Sequence, residues 1–93
     1  MKKGNQNVLY QNTKAEQGDA DAQVSLALCY ANGTGIEKDE QKAVEWYQKA
    51  SDQGNAVAQF SLALCYENGI GVEKDEQKAF ELYQKVAEYK QGY

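Results

Sequence analysis

Two cysteines, fourteen carboxylates and two glycine-rich loops are the parts of this chain whose residue types could do chemistry. The loops read "NGTGIEKD" at 32–39 and "NGIGVEKD" at 68–75. A phosphate-binding loop needs a Lys and a hydroxyl directly after its glycines and a strand before it; neither copy supplies them. A calcium loop needs alternating acids ahead of a glycine and a distal bidentate Glu, and these are missing too. The residues do suit a turn, with glycines in left-handed backbone and Ile36 tucked beneath a hairpin. Cys29 and Cys65 have no histidine in the chain to activate a thiol, and two thiols alone make no zinc site. Equivalent positions in stacked hairpins lie about one helix-packing distance apart, ~8–10 Å, beyond disulfide reach. Small buried free thiols are therefore expected. Asp39, Glu40, Asp75 and Glu76 are explained as helix caps and dipole partners, not as an acid/base pair. The reading is no enzyme, no cofactor and no metal.

Composition narrows the partners. A chain of 93 residues, 42% hydrophobic, is one small domain near the lower end of what buries a core alone. All ten basic residues are Lys against fourteen acids, for a net charge of −4. That balance leaves no basic stripe to neutralise phosphates, so nucleic acid is excluded as a partner. No apolar run approaches the ~18 residues needed to span a bilayer, which excludes the membrane. "MKKGNQN" begins like a basic signal region, but no apolar stretch follows it. With free thiols, this makes the expected location cytoplasmic, the alternative being a fragment of a longer exported protein.

A 36-residue period organises everything else. "AEQGDADAQVSLALCYANGTGIEKDEQKAVEWYQKA" fills 15–50, and "SDQGNAVAQFSLALCYENGIGVEKDEQKAFELYQKV" fills 51–86 without a gap, 25 of 36 positions being identical. "VLYQNTKAEQG" (8–18) echoes 44–54 with a one-residue slip, and "AEYKQGY" (87–93) begins a further unit. One α-solenoid domain is expected over 1–93. Residues 1–14 form a partial preceding unit or N-terminal helix, 15–50 repeat 1, and 51–86 repeat 2. Residues 87–93 either start a third unit or extend the last helix.

Each unit is punctuated as two helices. Asp19 and Asn55 are placed as N-caps, Gly33 closes the first helix as a left-handed cap, and Asp39 or Asp75 opens the second. On the first helix Ala22, Leu26 and Tyr30 share one face, while Val24, Leu28 and Ala31 fall on roughly the opposite one. A helix apolar on several sides is normally buried on several sides, which suits a hairpin layered between neighbours.

These residues resemble the Sel1-like repeat, a relative of the tetratricopeptide repeat. The likeness runs through Gly18, Ala20, Ala22-Gln23, Leu26-Ala27, Tyr30, Gly33-Thr34-Gly35-Ile36, Asp39, Lys42-Ala43, Trp46-Tyr47 and Lys49-Ala50, and again through the second copy. Ala27 and Ala63 stand where the family often has glycine, Leu82 where it has Trp, and Val86 where it has Ala. The resemblance implies an all-α, right-handed superhelix of antiparallel helix hairpins whose first helices line a concave surface. It also implies an adaptor or scaffold role, which many members serve in bacterial signalling and host interaction. Some secreted relatives carry cysteine pairs linking the two helices of a repeat; here the second helix has none.

On that implication the partner is a protein or peptide, held along Asp21, Val24, Leu28, Asn32, Val57, Phe60, Leu64 and Asn68 of the first helices. Leu28 and Leu64 point most directly outward; Val24 and Phe60 fit partner contact and packing between neighbouring helices equally well. The alternative is a self-associating solenoid unit, a homo-oligomer formed through apolar ends near Val8 and Leu9 and near Val86 and Tyr89. Leu82 in the place of Trp46 removes volume from the second hairpin, with Phe60 or Phe80 as candidates to restore it.

Overall fold

The computed structural model describes the backbone of residues 3–91 and the side chains of residues 8–88. Five helices follow one another: α1 (Lys3–Glu16), α2 (Ala20–Asn32), α3 (Glu40–Asp52), α4 (Ala56–Asn68) and α5 (Glu76–Gln91). Each packs on the next, α2 with α3 and α4 with α5 making the two hairpins, so the chain is an all-α repeat solenoid. It measures 42 × 30 × 16 Å.

Local chemistry sets the helix ends. The side chains of Asp19, Asp39, Asn55 and Asp75 accept from the backbone N–H of the residue three positions on, at 2.9–3.1 Å. Each such bond satisfies a donor that the first helical turn would otherwise leave open. At the far end of α2, Gly33 turns left-handed (φ 70°) and donates to the Cys29 carbonyl; Gly69 does the same for α4 onto Cys65. The chain then folds back, with Asp39 N–H donating to the Tyr30 carbonyl and Asp75 N–H to that of Tyr66, both at 2.8 Å. The two loops expected to be turns are turns.

The first helices are buried on two sides, as their apolar pattern requires. Ala22 and Leu26 of α2 pack with Val8 and Ala15 of α1. Val24 and Ala27 enter the main core instead, with Ala43, Val44, Tyr47 and Ala50 of α3 and Ala58, Leu62, Ala63 and Cys65 of α4. Gln23, only 4% exposed, ties three helices together. Its Nε2 donates to the Ala15 carbonyl at 3.1 Å, and its Oε1 accepts from Gln53 Nε2 at 3.0 Å. A buried amide is tolerated only when so paired.

Three details refine the expectations. α1 is in strict 36-residue register with α3, without the slip: Val8 (8% exposed) lies where Val44 (7%) lies, and Ala15 (1%) where Ser51 (8%) lies. Val8 is thus core, and Leu9 (65%) and Tyr10 (60%) are what α1 exposes. Phe60 (48% exposed) and Phe80 (60%), the candidates to restore the volume lost at Leu82, are both largely exposed. α5 runs on to Gln91 where α3 stops at Asp52, because Lys90 stands in the place of Gly54 and nothing breaks the helix there. Val86 is half-buried, and the side chain of Tyr89 lies outside those described.

Candidate functional site

The eight residues expected on the partner-binding face separate into two groups. Leu28 (45% exposed), Val57 (59%), Phe60 (48%) and Leu64 (37%) are accessible, and Asp21, Asn32 and Asn68 are exposed around them. Val24 is not accessible. At 8% exposure it is covered by repeat 2, so the packing alternative holds for this residue and it offers a partner nothing. Phe60, its counterpart in repeat 2, stays open, because no described repeat follows to cover it as repeat 2 covers Val24; its ring meets that of Tyr83 edge-on at 5.8 Å. Asp21 and the start of α4 are joined by Asn55 Nδ2 donating to Asp21 Oδ1 at 3.3 Å, which links the two first helices at one end. Asn68 Nδ2 donates to the Leu64 carbonyl at 3.0 Å.

A second surface escaped the sequence reading. Glu67, Glu76, Ala79, Phe80 and Tyr83 line a cavity of about 220 Å³ at the α5 end of the solenoid. Tyr83 donates its hydroxyl proton to Glu67 Oε1 at 2.6 Å, and that hydrogen bond holds the phenol pKa above its ordinary value. The signal was present as differences between the copies: Glu67 where repeat 1 has Ala31, and Phe80 where it has Val44.

The thiols are free, as expected, though unequal. Cys65 is buried and Cys29 only half-buried. Burial raises the pKa of both, and the charge of Glu40 adds to the effect at Cys65. Tyr47 is also raised by burial, with the hydrogen bond from Ser61 acting the other way and Cys65 adding a smaller rise. A raised acid holds its proton more tightly folded than unfolded. The stability this contributes is complete below the ordinary thiol value near 9 and is lost as pH rises through the folded values. Urea midpoints measured from neutral to strongly alkaline pH are therefore expected to stay level at first and then fall. Cys65→Ala should delay the onset, and an unchanged profile in that variant would assign the alkaline loss elsewhere.

Among the described residues no group of three or more His, Cys, Asp or Glu side chains is placed to hold a metal ion, and no helix is long and apolar enough to cross a membrane. The described surface offers apolar area on helices. The Sel1 repeat profile matches residues 20–55 and 56–88. The chain belongs to the Sel1 repeat family. Solved structures agree. A Sel1 repeat protein from Oxalobacter formigenes superposes with a TM-score of 0.90 at 32% identity, over 92% of this chain and 25% of that one. A protective antigen of uropathogenic Escherichia coli with the same repeat fold gives 0.87 at 34% identity, over 88% and 18%. Helicobacter pylori cysteine-rich protein B gives 0.83 at 26%, over 86% and 60%. This chain therefore spans a quarter or less of the first two and under two thirds of the third. No curated protein sequence matches it. Sel1 repeats are generally protein–protein interaction scaffolds, on a fold generally without catalysis.

Proposed function

We propose that this Sel1 repeat chain is a scaffold module that holds a peptide or helix of a partner protein along the exposed face of α2 and α4. One observation carries the reading: among the described residues, half of the large apolar side chains that are exposed, Leu28, Val57, Phe60 and Leu64, lie on these two helices. Small soluble domains rarely leave so many apolar side chains open on neighbouring elements unless something covers them. Asp21 and Asn32 on α2 and Asn68 on α4 border the apolar residues and supply polar contacts at the edge, the pattern that an amphipathic helix or extended segment fits.

The test replaces Leu28 and Leu64 together by Asp. Both are exposed, so the double variant is expected to keep the circular dichroism of the native protein. It should lose the peptides that the native chain selects from a displayed library, by a hundredfold or more in affinity. Retention of those peptides by the double variant would place the binding surface elsewhere.

A further inference from the structure

The exposed face of α2 and α4 carries charge of one sign. Each of these helices has a single carboxylate, Asp21 on α2 and Glu67 on α4, and every lysine of the chain lies outside both. Seven positions make about two turns of helix, so Asp21 falls in line with Leu28, and Glu67 with Phe60. The two acids therefore share the face of the exposed apolar side chains, one in the first turn of α2 and one in the last turn of α4. Among the described residues neither is paired with a cation. Asp21 Oδ1 accepts from Asn55 Nδ2 at 3.3 Å, and Glu67 Oε1 from the Tyr83 hydroxyl at 2.6 Å, both neutral donors. The ion pairs lie in the loops instead, Lys38 with Glu40 and Lys74 with Glu76.

The helix ends add to this field. The carbonyl end of a helix carries negative partial charge, which a basic residue in the last turn complements. α1 has Lys14 there and α3 has Lys49, but α2 and α4 have none. The stem of Lys38 passes Gly33 and that of Lys74 passes Gly69, yet both ammonium groups turn to the glutamate that opens the next helix, at 3.8 and 3.6 Å. Asn68 Nδ2 donates to the Leu64 carbonyl, which leaves its own amide oxygen as one more acceptor on the face. Beside Glu67 the half-exposed ring of Phe60 offers the aromatic surface on which a cation rests well.

We infer that the segment held along this face is cationic. It is an amphipathic stretch of a partner protein whose apolar side chains meet Leu28, Val57, Phe60 and Leu64, with a Lys or Arg near each end for Asp21 and Glu67. The inference rests on the peptide face proposed above and adds the charge of its occupant. An arginine at the Glu67 end pairs with the carboxylate while its guanidinium lies over Phe60. An acidic segment meets two carboxylates and two helix carbonyl ends without a cation to offset them, and is turned away.

Selection of a displayed random-peptide library by the native chain tests it. The peptides that need Leu28 and Leu64 are identified with Leu28→Ser, Leu64→Ser, a double variant that changes no charge. They are expected to be rich in Lys and Arg relative to the unselected library. Affinity for synthetic copies of them should fall about tenfold in Asp21→Lys with Glu67→Lys, and should weaken with added salt. Glu45→Lys with Glu81→Lys makes the same change of net charge on exposed positions of α3 and α5, and should alter that affinity by less than about threefold. Neutral or acidic peptides that need Leu28 and Leu64 would leave the peptide face standing and overturn its charge. Basic peptides weakened equally by the two charge reversals would show attraction to net charge alone, which also overturns the inference. Peptides indifferent to Leu28 and Leu64 would remove the face itself, and this inference with it.

Discussion

Gly71→Ala is expected to uncouple the two repeats, and Gly54→Ala to be mild by comparison. Both glycines have left-handed backbone, φ +72° at Gly71 and +88° at Gly54, so each alanine carries a conformational cost of about 1–2 kcal/mol. The difference lies in the surroundings. A Cβ at Gly54 meets nothing within 4 Å. One at Gly71 is driven into the Glu40 carbonyl group, 2.7 Å from its carbon and 2.9 Å from Val44 Cγ2. Glu40 begins α3, so its carbonyl cannot retreat without disturbing the first turn of that helix. The relief available is separation of the loop from α3, which opens the junction at Cys65 and Tyr47. Thermal unfolding should drop by several times more in Gly71→Ala than in Gly54→Ala. Cys65 should also become reactive to a thiol reagent in the first variant and stay protected in the second. Equal losses in the two would mean that backbone conformation, not the close approach, is what Gly71 is needed for.

Leu62→Ala should come close to unfolding the molecule. Leu62 is fully buried at 0% exposure, in the core shared by α3, α4 and α5. Removing such a side chain costs about 2–5 kcal/mol, the larger values arising where rigid neighbours cannot collapse into the space. The core that holds Leu62 is rich in alanine, with Ala43, Ala50, Ala58 and Ala63 beside the larger Val44, Tyr47 and Leu82, and the alanines have no rotamers to swing inward. A domain of this size has in total about 5–10 kcal/mol of stability, so one leucine is a large share of it. A fall in melting temperature of roughly 10–30 °C is expected. Phe60→Ala, larger in volume but half exposed, should cost far less, because its ring is already in water. A small shift in Leu62→Ala would show that the hairpins hold without the layer between them.

The difference between these two residues also marks how far the residue pattern carries. Caps and turns were readable because they are local: an Asp three positions before a helical N–H, or a glycine at a left-handed end, acts through its neighbours in the chain. Leu26 and Leu62 were readable as core because a helix apolar on several sides has nowhere else to put them. Val24 and Phe60 were not separable, since they are equivalent positions of the same repeat. Only the presence of α4 over one, and of no described helix over the other, gives them opposite fates. Gln23 carried no sign of its own that it would join α1, α2 and α3, because its partners are the backbone of Ala15 and the amide of Gln53, thirty residues away.

Sequence by itself determined the repeat length, the helical hairpin, the loop as architecture and the family, because each depends on spacing along the chain and on which residue types tolerate a given backbone. Tertiary structure alone decided which apolar side chains are spent on stacking and which stay exposed. It removed Val24 from the face expected to meet a partner, moved Val8 into the core, and revealed a cavity at the α5 end lined by Glu67, Glu76, Ala79, Phe80 and Tyr83. The physical reason is that burial in a solenoid is conferred by the next unit, and equivalent positions of two repeats differ when one is covered and the other is not.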